Sequence, residues 1–338
     1  MTTLSIDSGD IKVVEQWVST GLVTDATTNP LFVSQAGLSG DGVYQALVDE
    51  AVAHARAVLP GAADREEAVA LAADSLAVNL GKSLQQLVPG FVSTEVSIYE
   101  SFDTESMVAR GRRIVAMYAE AGGKPERVLI KLPATWEGIQ AARVLEAEGI
   151  KCNITLVFGH CQAVAAAQAG AHLISPFPGR ILEWHKANGS RPDTMPREED
   201  PGVQMCARAY RYYKCHGHDT IVMPASWRSP TGEDPCDEIL ALAGTDRMTI
   251  PPPLLEALAA RDVGDADAPL PRELEPAAAA AACDEPEHAP YTQSAFAWEL
   301  AMDGAATDKL AAGLRAFAAD TDKLFDALRS HPGWSTVQ

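Results

Sequence analysis

Residues 127–133 read RVLIKLP, an apolar run that holds a single lysine, Lys131. A short apolar run of this kind predicts a fully buried strand. Because a buried ammonium loses its hydration, we expect this position to favour the neutral amine. A neutral amine on a rigid strand is the group that attacks a carbonyl substrate to form a Schiff base. The alternative is a lysine at a strand end whose ammonium extends to water.

Seven further β-like runs occur along the chain, and helical segments lie between them. The runs are 4–6, 22–24, 91–96, 152–158, 172–176, 220–225 and 248–250, and the helical segments are 43–58, 65–87, 104–121, 136–148, 160–169, 202–214 and 237–243. Strands that alternate with helices predict parallel strands joined by crossover helices. Eight such strands over about 250 residues predict an α/β fold, a closed (β/α)8 TIM barrel with extra helices. An open doubly wound sheet is the alternative, although no G-x-G-x-x-G follows the first strand.

We predict one domain over residues 1–338, with two features added to the barrel. Residues 261–290 are rich in Ala, Pro, Asp and Glu, which predicts a partly mobile surface excursion with a short helix in the alanines at 277–282. Residues 303–330 contain apolar residues at helical spacing, which predicts a long C-terminal helix that packs on the barrel.

Composition and charge exclude several classes of partner. Of the 338 residues 47% are hydrophobic, which is enough for a large core. The formal net charge of −19 argues against nucleic acid or an anionic membrane surface as a partner. No apolar run approaches the roughly 18 residues of a membrane span, and residues 1–7 lack the features of a signal peptide. Six scattered cysteines without a C-x-x-C pair predict reduced thiols and a cytoplasmic location.

One short segment gathers side chains that bind metals, namely Cys215, His216 and His218. A zinc site needs further ligands, and the sequence offers no second pair nearby. We therefore expect no metal. The oligomeric state is expected to be monomer or homodimer, because one sequence does not reveal a surface apolar patch.

Polar residues stand at the ends of the predicted strands, where a barrel enzyme places its active site. These residues are Asp7, Asn29, Glu95, Lys131, Asn153, Thr155, Ser175, Arg180, Ser226 and Arg228. Each alone has a structural explanation, such as a turn residue, a solvated carboxylate or a surface ion pair. Buried polar groups without partners cost about 1–3 kcal/mol each, so stability alone does not account for so many.

Four of these residues form a consistent catalytic set. The neutral amine of Lys131 attacks a ketone, and Glu95 moves the proton through a water held by Thr155. Asp7 serves as the base for the hydroxyl that departs when a carbon–carbon bond breaks. Arg180, Arg228 and Ser226 form a phosphate clamp, because guanidinium groups bind phosphate in a bidentate manner.

Five segments carry these residues: DATTNP at 25–30, VSTEV at 92–96, IKL at 130–132 with TWEGI at 135–139, CNITL at 152–156 and LISPF at 173–177. In this order and spacing they resemble the transaldolase family of class I Schiff-base enzymes, from about residue 5 to residue 325. The resemblance implies a (β/α)8 barrel and no metal or organic cofactor. It also implies transfer of a dihydroxyacetone unit from a ketose phosphate, sedoheptulose 7-phosphate or fructose 6-phosphate, to an aldose phosphate of the pentose phosphate pathway.

Matching motif positions carry the family's residue roles onto this chain. The resemblance implies that Lys131 forms the Schiff base, that Asp7 and Glu95 act as acid and base, and that Thr155 holds the catalytic water. It assigns sugar contacts to Asn29, Asn153 and Ser175, and the phosphate to Arg180, Ser226 and Arg228. Phe177 bears on whether the enamine is passed to an acceptor or released to water.

Two segments depart from the family pattern. Residues 96–100 read VSIYE where relatives have a more basic stretch, and 229–236 read SPTGEDPC, an insertion beside the predicted clamp. These departures leave three alternatives open: a specialised transaldolase that makes a longer-chain sugar phosphate, a fructose 6-phosphate aldolase-like enzyme that releases dihydroxyacetone, and a catalytically silent sugar-phosphate binder. A metal-dependent lyase is a fourth alternative, without a convincing ligand set.

Overall fold

The structure, a computed structural model, describes residues 2–60, 65–261 and 273–334. Its strands are β1 Thr3–Asp7, β2 Val23–Thr27, β3 Val92–Glu95, β4 Val128–Pro133, β5 Cys152–Val157, β6 Leu173–Pro176, β7 Ile221–Val222 and β8 Arg247–Ile250. Its helices are α1 Ile11–Ser19, α2 Pro30–Leu38, α3 Gly42–Val58, α4 Arg65–Leu87, α5 Thr104–Glu120, α6 Trp136–Ala147, α7 His160–Gln168, α8 Pro178–Ala187, α9 Pro201–His216, α10 Asp237–Ala241, α11 Pro252–Ala259, α12 Pro276–Ala281, α13 Gln293–Met302 and α14 Gly304–Arg329.

All eight strands are parallel and form one sheet in the order β7-β6-β5-β4-β3-β2-β1-β8. The sheet curls until its two edge strands meet, where the Thr249 N–H donates to the Pro224 carbonyl at 3.1 Å. The barrel is therefore nearly closed. This confirms the predicted (β/α)8 barrel and its long C-terminal helix, and it excludes the open doubly wound sheet.

Two predicted strands differ from the structure by more than one residue at an end. β2 extends to Thr27, so Asp25 lies inside the strand and not after it. There the Asp25 carboxylate accepts from the Phe91 N–H at 2.6 Å and pairs with Arg247 at 2.7 Å, so its role is structural. β7 is shorter than residues 220–225. Met223 and Ala225 still donate to the carbonyls of Ile174 and Pro176 at 2.9 Å, but Pro176 of β6 has no N–H with which to return a bond.

The sequence did not reveal five helices: α1, α2, α8, α11 and α13. Three of them, α2, α8 and α11, begin at a proline, which is favoured at the first helical position. That start signal was present in the sequence. The helices are only eight to ten residues long, which leaves little room for a periodic apolar pattern.

The long helix α14 lies over the open end of the barrel. It packs on α2, α4 and α8 and reaches the end of β5. There Leu156 takes a left-handed backbone conformation (φ 59°), and the ladder to β6 shifts its register. The Leu156 side chain meets α14 at Gly313, where a Cβ would lie only 2.7 Å from a leucine methyl carbon. The local irregularity of β5 thus fits the barrel to its covering helix.

Part of the excursion at 261–290 is described. Residues 262–272 lie outside the described residues. From residue 273 the chain packs along α9, and the short helix predicted in the alanines is α12, with Ala279 buried. All six cysteines are free thiols. Among the described residues, no helix combines the length and the apolar character that crossing a bilayer requires.

Candidate active site

A pocket of about 230 Å³ opens where the strands end, around Lys131. Seven of the eleven residues predicted for the site line it: Asp7, Asn29, Lys131, Ser175, Phe177, Arg180 and Ser226. Four others, Glu95, Asn153, Thr155 and Arg228, stand behind this lining or at its edge. The lining also includes Thr249 of β8 and Phe317 and Asp320 of α14, which the sequence did not single out.

Strand register places Lys131 between two other predicted residues. β4 pairs with its neighbours so that Glu95, Lys131 and Asn153 stand side by side. Lys131 is only 6% exposed, so its ammonium does not extend to bulk water. Its Nζ lies 3.4 Å from Glu95 Oε2, donates to the Thr28 carbonyl at 3.2 Å and lies 5.8 Å from the centre of the Phe317 ring. The amine is therefore held between a carboxyl group and an aromatic cover.

Glu95 and Thr155 supply buried polar atoms next to this amine. Burial raises the pKa of Glu95, and the charge of the nearby Lys131 opposes that rise. Among the described residues, no group forms a hydrogen bond with either oxygen of Glu95 or with Thr155 Oγ1. A carboxyl whose pKa is raised holds its proton nearer to neutral pH, as an acid–base group requires. Their free bonding capacity suits them to bind a water or a substrate atom.

Asp7 ends β1, which lies three strands from β4 in the sheet. Its carboxylate accepts a hydrogen bond from Thr27 Oγ1 at 3.0 Å, and Thr27 Oγ1 lies 2.7 Å from Thr249 Oγ1. Burial raises the pKa of Asp7, while Lys131, Thr27 and Arg180 act in the opposite direction. Two buried carboxyl groups with raised pKa values thus stand on β1 and β3, and the amine on β4 lies beside the second of them.

Amide and hydroxyl groups near Lys131 are fixed by one another. Ser175 Oγ donates to Asn153 Oδ1 at 2.8 Å, and Asn153 Nδ2 donates to Ser93 Oγ at 3.2 Å. Asn153 is thus hydrogen-bonded to two serines and not to Thr155. Asn29 caps α2, where its Oδ1 accepts from the Phe32 N–H at 3.1 Å. Its NH2 group remains to donate into the pocket.

The first turn of α8 packs against the loop that follows β7, at another side of the pocket. Ser226 has a left-handed backbone conformation (φ 64°), which is uncommon outside glycine and costs about 1–3 kcal/mol. A Cβ at Gly179 would lie 2.4 Å from the Ser226 carbonyl oxygen and 2.6 Å from Arg228 Cγ. Only glycine permits this approach. The Arg180 guanidinium lies 5.1 Å from the centre of the Phe177 ring.

Arg228 does not line the pocket in this structure. Its Nε pairs with Glu183 Oε1 at 2.6 Å, and Lys309 Nζ lies 3.4 Å from the other oxygen of Glu183. Burial lowers the pKa of Arg180, and the charge of Arg228 acts in the same direction, so the two guanidinium groups are close enough to repel each other. Of the two arginines predicted to bind phosphate, Arg180 lines the pocket, and Arg228 is outside the lining and pairs with Glu183.

Neither segment that departs from the family pattern lines this pocket. Residues 96 and 97 line a second cavity of about 60 Å³ behind Glu95, and Glu100 pairs with Arg110 at 2.6 Å. The insertion at 229–236 folds on itself, with Ser229 Oγ donating to Asp237 at 2.9 Å. Among the described residues, no group of potential metal ligands lies in the pocket. Two such groups lie elsewhere, and neither contributes to the pocket lining.

Comparisons with known proteins identify the family of this chain. The family model for transaldolase/fructose-6-phosphate aldolase matches residues 4–328. A protein named transaldolase from Marinobacter nauticus is 47% identical over 329 residues, which cover 97% of this chain and 95% of the relative. Another of that name from Edwardsiella ictaluri is 44% identical over 324 residues, or 96% of this chain and 94% of the relative. The chain belongs to the transaldolase/fructose-6-phosphate aldolase family, whose members named here are transferases.

Proposed function

We propose that this protein is a transaldolase that carries a dihydroxyacetone unit on Lys131. The donor is sedoheptulose 7-phosphate or fructose 6-phosphate, and the acceptor is an aldose phosphate. The observation that carries the proposal is the buried Lys131 Nζ, 3.4 Å from a carboxyl whose pKa burial raises, inside a pocket that Arg180 also lines. Family membership and the relatives' names support the same activity.

Schiff-base formation begins at the donor ketone. The Lys131 amine adds to the carbonyl carbon and gives a carbinolamine. Glu95, through a water bound by Thr155, removes a proton from nitrogen and delivers one to the carbinolamine oxygen, which leaves as water. The free oxygens of Glu95 and the free hydroxyl of Thr155 support this assignment. The product of this step is an iminium ion on Lys131.

Carbon–carbon cleavage follows at Asp7. Asp7 takes the proton of the hydroxyl two carbons from the iminium carbon. The bond between the hydroxyl-bearing carbon and the carbon next to the iminium then breaks. The oxygen of the deprotonated hydroxyl becomes the carbonyl of the departing aldose phosphate. The electron pair of the broken bond moves toward the iminium nitrogen and leaves an enamine on Lys131. The acceptor aldehyde then adds to the enamine, and the same steps run in reverse. The raised pKa of Asp7 suits it to keep the proton until the acceptor arrives.

Substrate binding uses the remaining predicted residues. Asn29, Asn153 and Ser175 contact the sugar hydroxyls. The phosphate binds Arg180 and Ser226 and draws Arg228 from Glu183, because a dianion attracts a guanidinium more strongly than one carboxylate does. Lys309, which also contacts Glu183, compensates the carboxylate when Arg228 moves.

Transfer is favoured over release because aromatic groups shield the enamine from water. Phe177 and Phe317 both line the pocket, and Phe317 covers Lys131. A longer-chain specialised substrate has less support, because the departing segments do not line the pocket. We expect the enzyme to act on sugar phosphates in the cytoplasm, where six free thiols stay reduced.

Acceptor dependence tests the proposal. Fructose 6-phosphate alone should give little free dihydroxyacetone, and adding erythrose 4-phosphate should start rapid turnover. Phe317→Ala should raise the acceptor-independent release relative to transfer, whereas Phe325→Ala, on the same helix but facing the second cavity, should not. Release by the wild-type protein at the same rate without an acceptor would favour the aldolase alternative.

A further inference from the structure

The end of α9 and the segment after α12 bring together two thiols and an imidazole. One ligand atom each from Cys215, His216 and Cys283 lies within 4.8 Å of the others. None of these residues lines the pocket around Lys131. The sequence placed Cys215 and His216 together, but only the fold brings in Cys283, which is 67 residues beyond His216 in the chain.

The spacing and donor types fit a zinc ion. Zinc binds cysteine sulfur at about 2.3 Å in a tetrahedral arrangement, which places two sulfur ligands about 3.8 Å apart. The present separations of up to 4.8 Å therefore need only a small contraction. Cys215 is exposed, so a water has access to a fourth position.

The hydrogen bond of His216 leaves one ring nitrogen able to bind a metal. Its Nε2 lies 3.0 Å from the Glu285 carbonyl oxygen, a distance at which the Nε2–H donates a hydrogen bond. The lone pair then resides on Nδ1. Histidines that bind zinc commonly donate their other N–H to a carbonyl in this way, which fixes the ring and its tautomer.

A neighbouring network holds the segment in place without a metal. Glu285 pairs with Arg208 at 2.8 Å and contacts His160 at 3.0 Å and His288 at 2.8 Å. Burial would raise the pKa of Glu285, but hydrogen bonds from Arg208 and His288 outweigh it and lower the pKa to about 2. A cation here would face the Arg208 charge. His160, Glu285 and His288 form the other group of potential metal ligands, but with Arg208 they already make a complete ion-pair network. This network anchors the chain next to Cys283.

We propose that Cys215, His216 and Cys283 bind one zinc ion, with water in the fourth position. Binding releases two thiol protons, and the ion ties the segment after α12 to the end of α9. The role is structural, because the site is separate from the pocket in which Lys131 lies.

Metal titration of the full-length, tag-free protein tests this site. In the presence of a phosphine reductant, we expect one Co²⁺ per chain with a thiolate-to-cobalt charge-transfer band, displaced by one Zn²⁺. Cys215→Ser and Cys283→Ser should each lose the band. Each should weaken zinc binding by more than the roughly 10–100-fold typical of losing an outer-shell partner. His218→Gln, in the same turn but outside the group, should retain both properties.

Thermal unfolding provides a second measurement on the same variants. Zinc should raise the Tm of the wild-type protein and of His218→Gln, and should leave Cys215→Ser unchanged. Equal zinc affinity in all variants, or a reduced protein without a thiolate–cobalt band, would overturn the proposal. So would a Cys215–Cys283 disulfide as the only linkage found between these segments. Transaldolase turnover should be the same with and without zinc.

Discussion

Lys131 and Glu95 are both costly to bury, and the strand register buries them side by side. The cost of removing two charged groups from water can exceed the attraction between them, so stability alone does not explain why this pair is buried. The raised pKa of Glu95 and its free oxygens account for the pair as an acid–base centre.

Glu95→Gln should slow turnover about 10²–10⁴-fold, the usual contribution of an acid–base group, because an amide does not transfer the proton. The folded structure should persist, since glutamine has the same shape. Steady-state kinetics with fructose 6-phosphate and erythrose 4-phosphate measure the effect. Glu126→Gln, an exposed position ahead of β4, is the matched control and should be fully active. Comparable rates in the two variants would remove Glu95 from the mechanism.

For individual residues, the sequence predicted which side chains belong to the site better than it predicted the contacts between them. Lys131 was identifiable because a charged residue stood inside an apolar run. The pairing of Arg228 with Glu183 was not, because it joins side chains from α8 and the loop after β7. The link from Asn153 to Ser175 required the register of β5 and β6.

Among the elements, α8 and the end of β7 position the residues proposed to bind phosphate. Their close approach depends on Gly179, where a Cβ would lie 2.4 Å from the Ser226 carbonyl oxygen. The left-handed conformation of Ser226 is kept in place by this packing and by the Trp227 indole, which donates to the Thr249 carbonyl at 2.8 Å.

Gly179→Ala should therefore raise the KM for a phosphorylated donor by about tenfold, equivalent to roughly 1.4 kcal/mol, because Ser226 and Arg228 must move. The kcat should fall less, since Lys131 is on a different strand. Kinetics on fructose 6-phosphate measure both values. Gly42→Ala is the matched control, because a Cβ there would meet no atom within 4 Å. An unchanged KM in Gly179→Ala would argue against this phosphate position.

The sequence predicted the bounds of a helix or strand well where the apolar pattern was long. It predicted them poorly where the pattern was short. α4 has the limits that the sequence predicted, residues 65–87, because its apolar pattern extends over 23 residues. β7 was predicted too long because Pro176, at the end of the neighbouring β6, has no N–H to continue the ladder. The helices α2, α8 and α11 were missed although a proline marks each start.

For the whole molecule, the alternation of strands and helices was enough to predict the barrel. It did not predict that α14 covers the open end and contributes Phe317 and Asp320 to the pocket. Those contacts join residues more than 180 positions from Lys131 in the chain, and no local pattern encodes them.

Global stability should depend on pH through Glu238. Burial and the neighbouring Asp200 raise the pKa of Glu238 to about 9 from its ordinary value of 4.5. The folded state therefore binds this proton more tightly than the unfolded chain does. Its contribution to stability is fully present below pH 4.5 and is lost as the pH rises toward about 9.

Glu238→Gln should reduce this loss, because an uncharged amide accepts from the Arg228 N–H and donates to Asp200 without ionising. Between about pH 5 and pH 9, we expect its Tm to fall a few degrees less than that of the wild-type protein, as about 1–2 kcal/mol would produce. Calorimetry across this range measures the effect. Glu256→Gln, which is exposed, should follow the wild-type curve. Parallel curves for Glu238→Gln and wild type would contradict the assignment.

The central claim is that Lys131 carries the three-carbon unit, and reductive trapping tests it most directly. The protein is incubated with fructose 6-phosphate and borohydride, and the modified residue is mapped by mass spectrometry. The account predicts one dihydroxyacetone-derived adduct, on Lys131, that is absent from Lys131→Ala and retained in Lys151→Ala on the neighbouring strand connection. An adduct on another lysine, or no adduct in a protein that turns over, would contradict it.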